Sequence, residues 1–600
     1  MLKALLTQVL PKPKRASAHA AQTPLQRAAA FAASKQWDAA RGAAEEVLAA
    51  EPENLEAILL RAKSFRARGL LEQAQQAYRR ALVLAPACAD AWIDLGVCHH
   101  LAGDDLWARI YFRFAAELDP DNADVWNEFA VVDIALGNYE KAEEALENAV
   151  ARNPALPEAW NNLGLVLARR GDRANARRHF LRAAFLKPDY YTAYTNAGLA
   201  ARDLGLLEEA EADLRRALEI DLAPHTAWLN LGTVLQDAGR LIEARAAIDA
   251  AVERAPNDSD VLAAHSTLSL REGDPSRAQE IASRAVARDP QHPEAKLALG
   301  LAQLAAGNFA EGWRNHEARL RSAGMTVRHM HVPLWQGEAS NGQSILVWGE
   351  QGLGDEIMFA SCLPDLCARG VRCTLDCSPR LRALFKRSFP GITLLEAEAP
   401  PVDRSIAIGS LPSLFRTRRD LFPRHNGYLR PDPGRQVFWR ERVAALGLGR
   451  KIGVAWRGGL SQTGRVQRSV SIEQLLPLLR LAGVHWVNLQ HDAFPAELDR
   501  MRESGIRVAH WADALADLDE TAAVMANLDL VVTVCSTVVH LAGGLGRPAW
   551  VLTPRGAAWR YLAHGSEMPW YPSVVLYRQT DHGDWGSVVD RVAADIERAC

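Results

Sequence analysis

Hydrophobic residues follow two different patterns along this chain. In the first half, large apolar residues, prolines, alanines and glycines recur every 34 residues. From about residue 344 onward, short apolar runs alternate with glycine-containing turns and helical stretches. The first pattern is typical of stacked helix pairs, and the second is typical of buried parallel strands joined by helices. The sequence therefore predicts an all-α repeat array followed by an α/β region.

Four columns of equivalent positions carry the 34-residue period. One column is mostly aromatic, and the others are proline, alanine and glycine. Their members include Trp92, Trp126, Trp160, Tyr194 and Trp228; Pro52, Pro86, Pro120, Pro154, Pro188, Pro256 and Pro290; Ala40, Ala74, Ala108, Ala142, Ala176, Ala210, Ala244 and Ala278; and Gly96, Gly164, Gly198, Gly232 and Gly300. A small residue suits a close helix crossing, and proline starts a helix. The columns resemble the tetratricopeptide repeat family over about residues 21–326, or about nine repeats, which implies a solenoid with a concave groove.

Three asparagines occupy one position in successive repeats. Asn162, Asn196 and Asn230 each lie two residues after the column aromatic. An amide both donates and accepts hydrogen bonds, so a row of amides along a groove predicts binding of an extended peptide. The row resembles the asparagine ladder of eukaryotic O-GlcNAc transferases, whose overall architecture the chain also resembles. Asp94 and Glu128 hold this position in earlier repeats, and the alternative is that the asparagines are merely solvated.

The second half contains seven apolar runs that predict buried strands. They are SILVWGE, CTLDC, RSIAIG, KIGVAW, HWVNLQ, LDLVVTV and AWVLT. Helical stretches alternate with them, which predicts parallel sheets in two Rossmann-like subdomains facing a cleft. The polar segment FPRHNGYLRPDPGRQ near residue 430 separates the two. We therefore expect a flexible leader at 1–20, a linker at 327–343, and subdomains at 344–432 and 433–600.

A glycine-rich turn follows the first of these strands. In ILVWGEQGLGDEIMF, Gly352 and Gly354 allow the backbone to approach a ligand, and a helix begins near Glu356. Free N–H groups at the start of a helix attract anions, so this turn predicts part of a phosphate-binding site. It matches neither the Walker loop nor the Gly-x-Gly-x-x-Gly pattern.

A second turn between a strand and a helix lies in LDLVVTVCSTVVHLAGGLG. Ser536 and Thr537 are at the turn, and His540 follows about one helical turn later. Two hydroxyl donors, a helix N-terminus and an imidazole together suit a diphosphate. This segment is therefore the main candidate for donor binding.

A third segment supplies positive charge. KIGVAWRGGLSQTGRVQRSV carries Arg457, Arg465 and Arg468 on a loop after a strand. Guanidinium groups fit phosphate oxygens, although arginines on a loop are also commonly solvated surface residues. Gln490, at the end of the strand HWVNLQ, is a further candidate near the nucleotide.

The chain resembles bacterial proteins that join tetratricopeptide repeats to a glycosyltransferase domain of the heptosyltransferase type, glycosyltransferase family 9. The resemblance covers about residues 340–600 and rests on GLGDEIMF, GVAWRGG, DLDETAAVMANLDLVVTV, HLAGGLGRPAWVL and MPWYPSVVLYRQ. It implies a GT-B fold, a nucleotide-sugar substrate, no metal or other cofactor, and usually inversion at the sugar carbon. It also implies that Asp355 is the general base, for which a helix cap is the alternative. Cys535-Ser536 stands where that family has an Asp-Thr pair.

Two other groupings resemble metal sites by composition only. Asp517-Leu518-Asp519 spells the Asp-x-Asp of metal-dependent transferases, but it lies before a helix rather than after a strand. Four cysteines between residues 362 and 377 lack the paired spacing of a zinc site. We interpret these cysteines as core residues.

Composition limits the picture further. The 600 residues are 48% hydrophobic and 24% charged, and their net charge of −3 gives no basic field for nucleic acid. Eight cysteines are too few for a disulfide framework, so we expect a reducing compartment, the cytoplasm. The start, MLKALLTQVLPKPKR, is a poor signal peptide. The longest apolar run, residues 531–553, contains polar residues and glycines, so we expect no membrane span.

Three functions are compatible with these motifs. In the first, a glycosyltransferase moves a sugar from a nucleotide-sugar to a hydroxyl of a protein held by the repeat groove, and flagellin-like proteins are expected acceptors by analogy. In the second, the acceptor is a glycan or a lipid-linked sugar. In the third, an inactive repeat scaffold binds proteins, an alternative that Cys535 supports. We favour the first because a long groove suits an extended peptide.

Overall fold

The computed structural model describes residues 23–322, 328, 332–338, 342–396, 401–459, 464–491 and 495–599. The predicted leader, residues 1–20, lies outside the described residues, as do seven of the seventeen residues of the predicted linker. The chain divides into two compact units, Met1–Leu204 and Gly205–Cys600. The second unit begins within the repeat array, at the residue after α11 and the turn residue Leu204.

The described part of the first unit consists of paired helices. They are α1 (Pro24–Ala33), α2 (Trp37–Ala50), α3 (Leu55–Ala67), α4 (Leu71–Leu84), α5 (Ala89–Leu101), α6 (Asp105–Leu118), α7 (Ala123–Ala135), α8 (Tyr139–Arg152), α9 (Pro157–Arg169), α10 (Arg173–Leu186) and α11 (Tyr191–Asp203). The alanine column lies on the even-numbered helices, and its side chains are fully buried where two helices cross. The glycine column lies on the odd-numbered helices. The predicted all-α tetratricopeptide solenoid is confirmed.

Hydrogen bonds join the aromatic column to the proline column. The indole N–H of Trp92 donates to the carbonyl oxygen of Pro86 at 2.8 Å. Trp126 makes the equivalent bond to Pro120 at 2.9 Å in the next repeat. Each of these tryptophans therefore packs between repeats and also fixes the turn at the repeat boundary.

A fifth column of glycines ends the odd-numbered helices. Gly69, Gly103, Gly137 and Gly171 are each 34 residues apart, and their φ angles of 73, 79, 76 and 92° are in the left-handed region. Glycine adopts this conformation without steric cost, which is why it commonly follows the last residue of a helix. The hydrophobic pattern does not reveal this column because a turn glycine carries no apolar signal.

The second unit continues the helix pairs. Its repeat helices are α12 (Leu207–Ile220), α13 (His225–Asp237), α14 (Leu241–Arg254), α15 (Ser259–Arg271), α16 (Pro275–Arg288), α17 (Pro293–Ala305) and α18 (Phe309–His316). A short 3-10 helix, Glu317–Arg321, follows α18. These helices belong to the same compact unit as the two sheets that follow.

The first sheet contains four described strands, all parallel, in the order β3-β2-β1-β4. The strands are β1 (Ser344–Trp348), β2 (Arg372–Asp376), β3 (Thr393–Leu394) and β4 (Arg404–Ala407). At its centre, Val347 is in register with Leu375 on one side and Ile406 on the other. The accompanying helices are α19 (Leu353–Ala360), α20 (Leu363–Cys367), α21 (Arg382–Ser388) and α22 (Pro412–Phe415).

The second sheet contains seven described strands in the order β10-β11-β9-β8-β5-β6-β7. They are β5 (Arg450–Ala455), β6 (Val484–Asn488), β7 (Val508–Ala509), β8 (Leu530–Val534), β9 (Ala549–Thr553), β10 (Glu567–Met568) and β11 (Tyr571–Arg578). All neighbours are parallel except β10 and β11. The helices are α23 (Pro433–Ala444), α24 (Ile472–Leu479), α25 (Pro495–Glu503), α26 (Ala512–Ala516), α27 (Leu518–Met525), α28 (Thr537–Gly544) and α29 (Gly586–Ala599).

The predicted parallel sheets with helices are confirmed, and each of the seven predicted runs contains a strand. Strands β3, β7, β10 and β11 are additional. Three of these are only two residues long, and β11 includes Pro572, which lacks a backbone N–H and argues against a strand in the sequence.

One hydrophobic core links the end of the repeats to both sheets. Trp313 of α18, Ile345 of β1, Val531 of β8 and the later Trp559 belong to the same buried cluster. Burial of shared apolar surface is the main force that holds such parts together. This shared core explains why the last repeats and the sheets form one compact unit.

Candidate functional site

Two helix N-termini meet at the carboxyl ends of strands from the two sheets. Helix α19 follows the glycine-rich turn after β1, and α28 follows the turn after β8. A Cβ atom on Gly354 would lie 2.8 Å from Cδ2 of His540 and 3.5 Å from Cα of Thr537. Gly354 is therefore required for the close approach of α19 to α28.

Asp355 lies in the first turn of α19 and forms an ion pair with Arg560. The Arg560 Nη2 atom is 2.5 Å from Asp355 Oδ1, and the two side chains are only 16% and 17% exposed. Gly352, not Asp355, occupies the N-cap of α19, and it has no side chain to cap the helix. The carboxylate of Asp355 is thus directed to a cation instead of serving as the N-cap.

Arg560 was not found by sequence reasoning. It lies in the 3-10 helix Trp559–Tyr561 after β9, and its guanidinium carbon is 5.4 Å from the centre of the Trp559 ring. No motif surrounds it, and the only available signal is an arginine between two aromatic residues. The contact with Asp355, 205 positions away, exists only in the folded chain.

Backbone strain is concentrated beside this ion pair. In the described residues, three non-glycine residues have positive φ angles, and two of them are Gln351 (62°) and Leu562 (56°). Gln351 precedes the Asp355 turn, and Leu562 follows the Arg560 turn. Such conformations cost about 1–3 kcal/mol each and cluster at functional sites.

The turn before α28 is surrounded by arginines. Arg468 donates from Nη1 to the carbonyl oxygen of Cys535 at 3.3 Å, and Arg560 and Arg578 are also close enough to act on the Cys535 thiol. Burial raises the pKa of Cys535 to about 11 although these arginines oppose the rise. The thiol is therefore protonated at neutral pH and supplies no negative charge. The three arginines around this turn, Arg468, Arg560 and Arg578, outnumber the carboxylate of Asp355, so the site carries more positive than negative charge.

Ser536 and Thr537 begin helix α28. Ser536 is the N-cap, and its hydroxyl oxygen accepts the backbone N–H of Val538 at 3.3 Å. The same oxygen is 3.3 Å from the hydroxyl of Thr533. The N–H of Val539 also donates to the carbonyl oxygen of Ser536, at 3.2 Å, so the start of α28 is capped by Ser536 beside the Cys535 carbonyl that Arg468 contacts.

His540 is buried in the contact between α19 and α28. Its Nδ1 atom is 3.2 Å from the hydroxyl of Tyr571. Burial, together with the charges of Arg560 and Arg468, lowers the pKa of His540 well below its usual value. The imidazole is therefore neutral at pH 7, so it can hydrogen-bond but does not act as a cationic phosphate ligand.

Two predicted donor-binding residues contact neighbouring groups of the protein. The amide oxygen of Gln490 accepts the backbone N–H groups of Trp456 and Arg457 at 3.1 and 2.9 Å, which fixes the loop after β5. The Arg457 guanidinium is 3.3 Å from a carboxylate oxygen of Glu497 in α25. Arg457 and Gln490 thus shape the loop that leads to Arg468.

The remaining two predictions in these turns concern Gly352 and Arg465. Gly352 is the N-cap of α19, and the nearest atom to a Cβ placed there is Asp355 Oδ2 at 3.6 Å, so this position has room. The carbonyl oxygen of Arg465 accepts the hydroxyl of Ser469 at 2.6 Å. Residues 460–463 of this loop lie outside the described residues.

A second buried ion pair ties the end of the repeats to the glycine-rich turn. Arg319, after α18, contacts Glu350 through Nη2–Oε1 at 2.6 Å and Nε–Oε2 at 3.0 Å. The backbone N–H of Gly409 also donates to Glu350 at 2.9 Å. Sequence reasoning missed this pair because a single charged residue in an amphipathic helix end carries no distinctive signal.

A cavity of about 650 Å³ lies beside the arginine-rich turn, within the second unit. Arg468 and Trp559 form part of its wall, so it borders the site described above. The repeats contribute the loop before α14 and one face of α15. Leu241 and Leu270 lie on this repeat side, and Val466, Ala557 and Trp585 come from the loops that follow β5, β9 and β11. The lining is largely apolar with a few charged side chains, as in many ligand sites.

Two of the three predicted groove asparagines bridge neighbouring repeats. The amide of Asn162 donates to Asn127 at 2.9 Å, and the amide of Asn196 donates to Asn161 at 2.9 Å. These bonds use one amide N–H of each residue, and both side chains are half-buried. Asn230 lies half-buried on α13 in the second unit.

The two metal-like groupings have structural explanations. Asp517 caps α27 by accepting the N–H of Asp519 at 2.7 Å, and Asp519 pairs with Arg387. Cys362, Cys373 and Cys377 are buried, and burial raises their thiol pKa values. Within the described ranges, neither grouping brings potential metal ligands together. Three such side chains do lie close to one another at the surface of the repeats, namely Asp260, His292 and Glu294.

Comparisons with known proteins identify the repeats. Residues 59–123, 128–191 and 195–259 match one tetratricopeptide repeat family, and residues 269–312 match another. A curated relative, Protein FlbA of Caulobacter vibrioides, is 33% identical over 344 residues. That similarity covers 52% of this chain and 57% of FlbA, so little more than half of the relative is matched.

Solved structures show limited similarity. The Cut9-Hcn1 hetero-tetramer of APC/C has a TM-score of 0.37 at 19% identity, covering 46% of this chain and 55% of that chain. A tetratricopeptide repeat protein from Parabacteroides merdae has a TM-score of 0.36 at 17% identity, covering 42% and 98%. None of the helices in the described part of this chain is long and apolar enough to cross a membrane.

Proposed function

We propose that this chain is a glycosyltransferase of the GT-B type that moves a sugar from a nucleotide-sugar to a hydroxyl of a protein. The observation that carries the proposal is the meeting of α19 and α28. There, a buried carboxylate, an excess of arginine charge and a helix N-terminus lie beside a cavity bordered by repeats. Each of these parts has a separate task in sugar transfer.

The positive groups suit the donor diphosphate. Arg468 and Arg560 supply guanidinium forks, and the N-terminus of α28 with Ser536 and Thr537 supplies a helix dipole and hydroxyl groups. Because the Cys535 thiol is protonated, it does not compete with a phosphate for these cations. Preorganised donors of this kind stabilise the charge that the leaving nucleoside diphosphate acquires, the task that a metal performs in other transferases.

Asp355 suits the role of general base. The acceptor oxygen bonds to the sugar carbon while the bond from that carbon to the diphosphate oxygen breaks. The acceptor proton moves to the Asp355 carboxylate, and the nucleoside diphosphate leaves with the electron pair. A base must come within about 3 Å of the acceptor hydroxyl. Because Asp355 is paired with Arg560 in this structure, the proposal requires Arg560 to contact the bound diphosphate as well, which leaves a carboxylate oxygen of Asp355 for the hydroxyl.

The repeats favour a protein acceptor. The cavity is bordered by repeat helices on one side and by loops of the second sheet on the other, so a chain lying along the repeats has access to it. Tetratricopeptide arrays commonly bind extended peptides, and the carbonyl oxygens of Asn162 and Asn196 remain suitable acceptors for a peptide N–H. Flagellin-like proteins are our proposed acceptors. The cytoplasm is our proposed location, because the cysteines in the described residues are free thiols.

An inactive protein-binding scaffold is the second candidate. Two observations favour it: Cys535 replaces a carboxylate of the resembled enzymes, and Asp355 is occupied by Arg560 in this structure. In that case, the arginine-rich turn would have no donor to bind.

Donor binding separates the two candidates. The purified chain is heated with a panel of UDP-, GDP-, ADP- and CMP-sugars, and a donor at 100 times its Kd is expected to stabilise the fold by about 2.7 kcal/mol. Arg468→Ala should abolish the shift, whereas Arg440→Ala, an exposed control on α23, should retain it. Absence of a shift with every donor would favour the scaffold.

A further inference from the structure

Helix α6 exposes a strip of large apolar side chains. Trp107 is 51% exposed, Ile110 43%, Phe114 44% and Leu118 44%, and the neighbouring Leu106 is 68% exposed. The spacing of three and four residues places the first four on one face of the helix, opposite the buried Ala108, Phe112 and Ala115. These side chains are about half exposed, and Phe114 also contacts the ring of Trp92.

The equivalent helices of the other repeats provide an internal comparison. The positions of Trp107, Ile110 and Phe114 are occupied in those helices by Ala39, Gly42 and Glu46 (α2); Gln73, Gln76 and Arg80 (α4); Lys141, Glu144 and Asn148 (α8); Asn175, Arg178 and Arg182 (α10); Glu209, Ala212 and Arg216 (α12); Glu243, Ala246 and Ala250 (α14); and Arg277, Glu280 and Arg284 (α16). None of these residues is a large hydrophobic residue. The repeat fold therefore does not require Trp107, Ile110 and Phe114, whereas the position of Leu118 is also apolar in α4, α10 and α12.

The strip is held rigidly by aromatic stacking. Trp107 stacks on Tyr111 with ring centroids 5.9 Å apart, and Tyr111 stacks on Trp92 at 5.7 Å. The ring centroid of Phe114 is 5.2 Å from that of Trp92. A surface whose side chains are already fixed loses little conformational entropy when a partner binds.

Three more large apolar side chains are exposed on the two helices that precede α6. Leu101, at the end of α5, is 58% exposed, and Val83 and Leu84, at the end of α4, are 80% and 39% exposed. Eight large side chains at about half exposure present on the order of 600 Å². That is at the upper end of the patches found on monomers and approaches the roughly 800 Å² that each partner buries in a stable interface.

The charges around the strip are already paired within the chain. Arg113 and Glu117 form an ion pair at 3.0 Å on one flank, and Arg109 pairs with Asp133 at 2.6 Å. The strip thus offers no net charge to attract a partner of opposite charge. A neutral, apolar surface therefore suits the strip, and the same strip on a second copy of the chain is such a surface.

We propose that this surface binds the α6 strip of a second copy of the chain, forming a symmetric dimer. In such a dimer the same patch is used twice, so each copy covers the exposed tryptophan, isoleucine and phenylalanine of the other. The proposal does not depend on the proposed transferase activity, because α6 lies in the first unit and outside the site.

Sedimentation velocity of the full chain tests the proposal. The wild type should sediment as a dimer, at twice the 65.8 kDa of one chain. The double variant Trp107→Lys, Ile110→Glu gives α6 the residues that α8 carries and should weaken dimerisation by at least about 30-fold, as loss of central aromatic contacts does. The thermal midpoint of the monomer should fall by only a few degrees, since both side chains are about half exposed and the change removes only the stacking of Trp107 on Tyr111.

A matched control keeps the test specific. The variant Lys141→Glu, Glu144→Lys changes the equivalent exposed positions of α8 and should dimerise like the wild type. Single variants Ile110→Glu and Leu118→Lys provide independent measurements if the double variant folds poorly. The proposal is overturned if the wild type is monomeric at tens of micromolar, or if its dimer survives all of these α6 changes.

Discussion

At the scale of single residues, the main feature of the site is a set of largely buried charged side chains that compensate one another. Asp355 and Arg560 are mostly buried and paired, Arg468 adds a second cation, and Cys535 remains neutral. A buried charge that loses its partner is costly, because the protein interior replaces solvation poorly. The ion pair between Asp355 and Arg560 therefore stabilises the fold. When an anion binds, Arg560 can contact that anion in addition to Asp355.

The coupling between Asp355 and Arg560 can be measured without any substrate. Asp355→Asn and Arg560→Gln should each lower the free energy of unfolding by about 1–3 kcal/mol, because each leaves a buried partner unpaired. The double variant should recover part of that loss, giving a coupling energy of about 1–2 kcal/mol in a urea-unfolding cycle. Strict additivity of the two losses would mean that the pair contributes nothing to stability.

His540 makes stability depend on pH. Its pKa in the fold lies well below the unfolded value of about 6.5, so the unfolded chain binds its proton more readily below that pH. The contribution of neutral His540 is fully present above about pH 6.5 and is lost as the pH falls from there toward the folded pKa.

The variant His540→Gln isolates this effect from the other histidines. Relative to wild type, it should be destabilised at pH 7, and the difference in unfolding free energy should shrink between pH 7 and pH 5 by at most about 1.4 kcal/mol per pH unit. Urea unfolding at several pH values provides the measurement. A pH-independent difference would place the folded pKa of His540 near its ordinary value.

At the scale of helices and strands, close contacts decide which small residues are required. A Cβ on Gly164 of α9 would lie 2.6 Å from the Phe180 ring, whereas a Cβ on Gly42 of α2 would meet nothing within 4 Å. Both glycines lie inside helices, where alanine is intrinsically better. The two positions therefore separate packing from helix propensity.

These glycines predict opposite results for the same substitution. Gly164→Ala should lower the free energy of unfolding by about 1–3 kcal/mol because the Phe180 ring must move. Gly42→Ala should raise it by about 0.5–1 kcal/mol through helix propensity alone. Thermal and urea unfolding of the two variants compare them directly, and equal effects would contradict the packing account.

The sequence predicts elements better than it predicts contacts. The 34-residue columns predict the repeats, and the apolar runs predict the central strands, because both rest on local periodicity. Asp355, Ser536, Thr537 and Arg468 lie near the meeting of α19 and α28, as the turn chemistry suggests. Arg560 and the Arg319–Glu350 pair were missed because they depend on contacts between distant segments. The amide bonds of Asn162 and Asn196 likewise require knowledge of which side chain lies one repeat away.

At the scale of the whole molecule, the division at residue 204 is informative. The last repeats share a hydrophobic core with both sheets through Trp313 and Trp559, and Arg319 satisfies the buried Glu350. The α/β part therefore lacks a complete core without the helices that precede it.

Truncation tests this dependence. A fragment of residues 205–600 should fold cooperatively, as judged by a single thermal transition, because it retains the shared core. A fragment of residues 344–600 exposes Trp559 and Trp570 and leaves Glu350 without Arg319, so it should be insoluble or molten. A stable, cooperative 344–600 fragment would contradict the shared-core account.

Sugar transfer itself tests the central claim most directly. The full chain is incubated with a stabilising nucleotide-sugar and cell extract, and intact-mass and peptide mass spectrometry follow additions to proteins. The account predicts a sugar-sized mass on serine or threonine of a protein with wild type, and none with Asp355→Asn, although that variant still shows the donor-induced thermal shift. Donor binding without any modified protein, or undiminished transfer by Asp355→Asn, would contradict the account.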